Sequence, residues 1–119
     1  MLNFSTDLDA TFLALADQTR RDIIERLVRG PASVSDLAKP LPMSLPAVMQ
    51  HIAVLEHAGL VRTEKHGRVR TCQLEAARLS EVETWISRQR QDWSARLDRL
   101  TAYLEAQTPE GTPDGTDHT

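Results

Sequence analysis

Residues 37–74 read LAKPLPMSLPAVMQHIAVLEHAGLVRTEKHGRVRTCQL, and their sequence of helix starts, stops and turns decides the fold. A short helix must end by Pro40 and Pro42, whose rings lack the N–H that would continue a hydrogen-bond ladder. Ser44-Leu45-Pro46 opens the next helix: the serine can cap it, and Pro46 sits in the first turn, where its missing N–H would have had no partner. Gly59 closes that helix. Leu60–Lys65 and Val69–Leu74 then read as short strands around His66-Gly67, because glycine accepts the positive φ of a tight hairpin. The order is that of a winged helix-turn-helix, a mainly α fold with a small β-hairpin. Such a layout sets one helix in a DNA major groove and a basic hairpin over phosphates.

Along the second of these helices Leu45, Val48, Ile52 and Leu55 form the expected core stripe, leaving Pro46, Ala47, Met49, Gln50 and His57 outward. Upstream, Leu8, Phe12 and Leu15 or Ala16 mark an amphipathic helix from about Asp7 to Ala16, able to pack inward or across a partner. Asp17 is an N-cap for the next helix, with Ile23, Ile24, Leu27 and Val28 as its apolar stripe and Gly30-Pro31 as its stop. Ser33 caps a short helix through Asp36, Leu37 and Ala38. Downstream, Leu79, Val82, Ile86, Trp93, Leu97, Leu100 and Leu104 recur at threes and fours along a long helix, with Arg90 interrupting the stripe. A stripe of that length needs a second surface, which a symmetric partner would supply.

At 119 residues the chain is expected to hold one domain over 1–106, followed by an acidic tail over 107–119. Beyond Gln107 no apolar residue occurs, so the tail is expected to be disordered. The formal charge of −3 is misleading as a whole, since four of the 17 acids lie in the last fifteen residues, where there is no lysine or arginine. The remainder is near neutral, and a near-neutral domain binds DNA when its cations share one face. No run approaches a membrane span, the start lacks the basic and apolar regions of a signal peptide, and a single cysteine, Cys72, makes no disulfide framework. A cytoplasmic protein without a membrane partner is the expectation. No catalytic triad or phosphate-cradling glycine loop is discernible, the histidines lack metal-ligand spacing, and neither an enzyme nor a cofactor is expected.

Three segments together resemble the ArsR family of bacterial winged-helix repressors: Leu15-Ala16-Asp17-Gln18-Thr19-Arg20-Arg21, Ser35-Asp36-Leu37-Ala38, and the run from His51 through Ala58-Gly59-Leu60-Val61. The resemblance spans residues 8–104. Trp85, Trp93 and Arg96-Leu97-Asp98-Arg99-Leu100 look like its metal-independent branch, and Ser33-Val34-Ser35-Asp36 has no thiolate where metal-sensing members carry cysteines. Gln18 stands where the family commonly has proline, a change that leaves a good helix former. The resemblance implies a homodimeric repressor whose first and last helices form the subunit interface, reading a pseudo-palindromic operator in double-stranded DNA.

The candidate DNA-binding residues are Ser44, Pro46, Ala47, Gln50, His51, Lys65, Arg68 and Arg70. Gln50 can pair with an adenine edge through one donor and one acceptor. Pro46 and Ala47 either touch a thymine methyl or serve only to start the helix, and Ser44 is a cap whose surroundings can also hold a phosphate. His51 either donates to DNA or packs behind the groove-facing surface. Lys65, Arg68 and Arg70 are suited to phosphates, whereas Arg20 and Arg21 are assigned to intramolecular pairing. Cys72 shares strand parity with Leu74 and should pack inward. The candidate dimer residues are Leu8, Phe12, Trp85, Trp93, Leu97, Leu100 and Leu104. Two other readings stay open: a protein-interaction module on the same scaffold, and a sensor that binds an unidentified small-molecule inducer near Trp85 and Trp93 or responds through redox chemistry.

Overall fold

The computed structural model describes residues 2–107, with side chains from residue 8 onward. Helix α1 (Leu2–Leu15) comes first, and Asp17, extended at φ −120° and ψ 134°, caps α2 (Gln18–Val28) by accepting the Arg20 backbone N–H at 3.1 Å. That hydrogen bond holds the Asp17 carboxyl below the usual aspartate range, because it favours the ionised form. The carbonyls left over at the end of α1 are taken by guanidinium groups: Arg20 Nη2 donates to Leu13 O (3.2 Å), Arg20 Nε to Ala14 O (2.7 Å) and Arg21 Nη1 to Leu15 O (2.8 Å). Both arginines therefore act within the chain.

Ile23, Ile24 and Leu27 of α2 are buried, but Val28, expected beside them, is 64% exposed. At about 100° per residue, Ile23, Leu27 and Ile24 share one arc of the helix surface and Val28 falls beyond its edge. Gly30, at φ +138°, swings the chain into β1 (Ala32–Ser33), a two-residue strand that the sequence pattern does not announce. Ser33 ends the strand and caps α3 (Val34–Ala38), its Oγ accepting from Asp36 N–H at 3.0 Å. Ser44 does the same for α4 (Leu45–His57), accepting from Ala47 N–H at 3.3 Å.

Val48, Ile52 and Leu55 of α4 are buried in one cluster with the inward residues of α2, α3 and the sheet. Leu45 is not part of it: it is 47% exposed, because it lies a turn ahead of the first buried residue, past the edge of the core. In α1 the inward positions are Thr11 and Ala14, while Leu8 is half-buried and Phe12 lies on the surface, so the inner face is offset from the expected stripe. The end of α4 is closed by two backbone bonds, Gly59 N–H to Glu56 O (3.0 Å) and Leu60 N–H to Leu55 O (2.9 Å), with Leu55 and Leu60 fully buried. This closure needs the left-handed residue that Gly59 supplies at φ +80°.

β2 (Val61–His66) and β3 (Val69–Leu74) pair antiparallel from Val61↔Leu74 to His66↔Val69, and β1 joins the other edge of β3 to give the order β1-β3-β2. The hairpin turn is centred on Gly67-Arg68, one residue beyond the expected position, with φ +64° at Gly67 alone. Cys72 sits between Ala32 and Thr63 in mid-sheet and is fully buried.

Helix α5 spans Ala76–Gln107. Packing divides the described residues after Glu83: those up to Glu83 form one compact unit and those from Thr84 form another. In the first unit Arg78 of α5 donates to Ala58 O (3.3 Å) and to both carboxylate oxygens of Glu81 (3.0 Å each). In the second, Ile86, Trp93, Leu97, Leu100 and Leu104 are all more than 40% exposed. The acidic tail expected over 107–119 lies outside the described residues apart from Gln107, which ends α5.

Leu55→Ala should destabilise the fold by about 2–5 kcal/mol, through lost burial and the cavity left behind. Gly59→Ala should cost roughly 1 kcal/mol or more, since φ is positive there and an added Cβ would lie 2.7 Å from Arg78 Nε. Urea unfolding followed by circular dichroism checks both.

Candidate nucleic-acid interface

The exposed side of α4 is what its burial leaves over. With Val48, Ile52 and Leu55 committed inward, Pro46, Met49, Gln50 and Ala53 are exposed and Ala47 is half-buried. At the tip, the Ser44 oxygen is used as an acceptor in the cap, but its hydroxyl proton remains a donor. Gln50 keeps its amide in solvent, with both a donor and an acceptor available to a planar base edge.

His51 is placed differently. Its side chain is 23% exposed, and Nδ1 lies 3.2 Å from Arg20 Nη1 and 3.9 Å from Asp17 Oδ2. The ring is thus packed against the cap of α2, and the structure pairs it with two residues that the sequence pattern left out of the site.

Strand alternation sorts the cations of the wing. Directly opposed residues on an antiparallel pair share a face, so Val61/Leu74, Thr63/Cys72 and Lys65/Arg70 lie on one side, and Arg62/Gln73, Glu64/Thr71 and His66/Val69 on the other. The first side adjoins α4: Arg70 Nη1 donates to Thr63 Oγ1 (3.0 Å), which donates to Glu56 Oε2 of α4 (3.0 Å). A cleft of about 260 Å³ lies there, with Met49, Ala53 and Glu56 on the helix side and Thr63 and Arg70 on the wing side. On the second side Arg62 is held by Glu75 (3.1 Å) and Gln73 (3.1 Å), and His66 lies 3.4 Å from Glu64. Arg68 occupies the turn itself and is exposed.

The opposition of Lys65 and Arg70 is unfavourable in isolation, because like charges directly across a strand pair repel. An anion between or beside them removes that penalty. Met49, read from the sequence as outward, belongs to the same cleft together with Thr63 and Glu56, which the sequence pattern did not single out; Glu56 and Thr63 are seven residues apart on different elements, so no periodicity links them.

Cys72 offers little chemistry. Burial pushes its thiol above the usual cysteine range, with the Glu56 carboxylate adding to the effect, so the reactive thiolate is scarce at neutral pH. Among the described residues no group of three or more His, Cys, Asp or Glu side chains is placed to hold a metal ion, and no helix is long and apolar enough to cross a membrane.

Comparison with known proteins agrees with this geometry. Residues 15–64 match the model of a helix-turn-helix domain family. The HTH-type transcriptional regulator Rv2034 of Mycobacterium tuberculosis is 42% identical over 103 residues, covering 87% of this chain and 91% of that protein. The transcriptional repressor SdpR of Bacillus subtilis is 25% identical over 79 residues, covering 66% of this chain and 88% of that protein. Among solved structures, the ArsR family transcriptional regulator RHA00566 superposes with a TM-score of 0.73 at 50% identity, over 76% of this chain and 93% of that one.

Proposed function

This chain belongs to the ArsR family of helix-turn-helix transcriptional regulators, and we propose that it acts as a homodimeric repressor that binds a pseudo-palindromic operator and blocks access to a promoter. Binding DNA to regulate transcription is the family's function. The observation that carries the finer reading is the sorting of charge on the wing. Lys65 and Arg70 share the face that meets α4, Arg68 stands at the tip, and the arginine on the opposite face is neutralised by Glu75. A duplex that received the exposed side of α4 in its major groove would meet these three cations along its backbone. Gln50 is the base reader in this reading, Pro46 and Ala47 touch apolar base edges, and Ser44 donates to a phosphate.

The homodimer is supported by apolar surface in each unit. In α1, Phe12 is 39% and Leu13 69% exposed. In α5, Trp93, Leu97, Leu100 and Leu104 follow one another at spacings of four, three and four, the alternation of a coiled-coil seam, with Trp85 and Ile86 ahead of them. Two copies joined along such surfaces would carry paired recognition helices to half-sites about one helical turn, roughly 34–36 Å, apart. Acting on operator DNA would place the protein in the cytoplasm.

Gln50→Ala should relax specificity at one position per half-site and cost on the order of 1–3 kcal/mol of specific binding, with random duplex little affected. Equal losses on both duplexes would remove it as a base reader. Removing a phosphate contact lowers the slope of log affinity against log salt by about 0.9 per contact. Arg68→Ala and Arg70→Ala should each flatten that slope, and Arg62→Ala should leave it unchanged; fluorescence anisotropy across a salt series reads the difference. Leu97→Glu should give a folded monomer in sedimentation equilibrium, with operator binding lost.

A further inference from the structure

We propose that Arg20 is a positioning residue for DNA binding, which fixes the tautomer and setting of His51 so that the ring's Nε2–H donates to a backbone phosphate. The proposal rests on the operator-binding reading above. It begins from the Arg20 side chain, whose guanidinium is used on three sides. Nε and Nη2 close the end of α1 through Ala14 O (2.7 Å) and Leu13 O (3.2 Å), while Nη1 reaches His51 Nδ1 of α4 at 3.2 Å, 31 residues away in sequence. Its own backbone N–H is held by the Asp17 carboxylate, so the base of the side chain is fixed as well.

Guanidinium has five donors and no acceptor. The 3.2 Å contact therefore makes His51 Nδ1 the acceptor, and the proton of the neutral ring must sit on Nε2. A histidine with the opposite tautomer would present a lone pair to DNA, and a lone pair meets a phosphate oxygen with repulsion. In the tautomer that Arg20 selects, the ring offers a donor, and a hydrogen bond to an ionised acceptor is among the stronger polar contacts. His51 follows Gln50 in α4, so a fixed ring also anchors the helix backbone beside the base reader. The same arginine ties the end of α1 to α4, so movement at the end of α1 would be felt at His51.

Lysine at position 20 keeps the charge but cannot serve three acceptors in one plane. The test is a double-mutant cycle on the full chain, using a duplex that the wild-type protein selects from a random-sequence pool. Arg20→Lys should weaken binding about tenfold when His51 is present, as expected for a displaced hydrogen bond to a charged group, and less than twofold in the His51→Ala background. Equal losses in the two backgrounds would mean that Arg20 acts through α1 alone, and would overturn the proposal. Nitrogen NMR of the DNA-free wild-type protein tests the tautomer without any substitution: Nδ1 should be unprotonated and Nε2 protonated, and the reverse assignment overturns the proposal. If the wild-type chain selects no duplex although the tautomer is as stated, the operator-binding reading itself fails and the role of Arg20 falls with it.

Discussion

Burial of one side of α4 is the constraint on which the rest depends. Val48, Ile52 and Leu55 are drawn out of water by residues of α2, α3 and the sheet, and a rigid helix cannot turn three side chains inward without turning the others outward. The exposed row from Pro46 to Ala53 is thus fixed by core packing, with no need for any interaction of its own. Both helix ends are set as firmly, by the Ser44 cap and by the Gly59 closure, so the length of the presented surface is defined to within a residue.

A second consequence follows for the wing. β3 is held on both edges, and its register against β2 decides which cations share a face with α4. A slip of one residue in β3 would exchange Arg70 for Val69 or Thr71 on that face, and a slip in β2 would put Glu64 or His66 there in place of Lys65. Placement of charge is therefore a property of sheet register, and register is pinned at Val61↔Leu74 by burial and at His66↔Val69 by the glycine turn. In this way a chain with net negative charge keeps a locally cationic edge.

Local signals in the sequence carried much of this. The caps at Asp17, Ser33 and Ser44, the stop at Gly59 and the hairpin at Gly67 all depend on single residue types acting within one or two turns, and such effects are visible in a linear string. What was hidden depends on distant partners. β1 exists because Ala32 and Ser33 meet Cys72 and Thr71, about forty residues on, and two residues have no periodicity. In α1, Thr11 and Ala14 outrank Leu8 and Phe12 as the inner face against α2 and α4, an orientation that hydrophobicity alone does not encode. The link from Arg20 to His51 crosses 31 residues and joins two helix faces that each look complete without it.

The lone thiol in the middle of the sheet gives the molecule an internal clock. Cys72 is sealed in the core on the sheet face that adjoins α4, so a thiol reagent can reach it only when the sheet and the helices packed on that face part. Its rate of modification under native conditions measures how often the wing's root opens, and comparison with the global unfolding rate separates local fraying from loss of the whole fold.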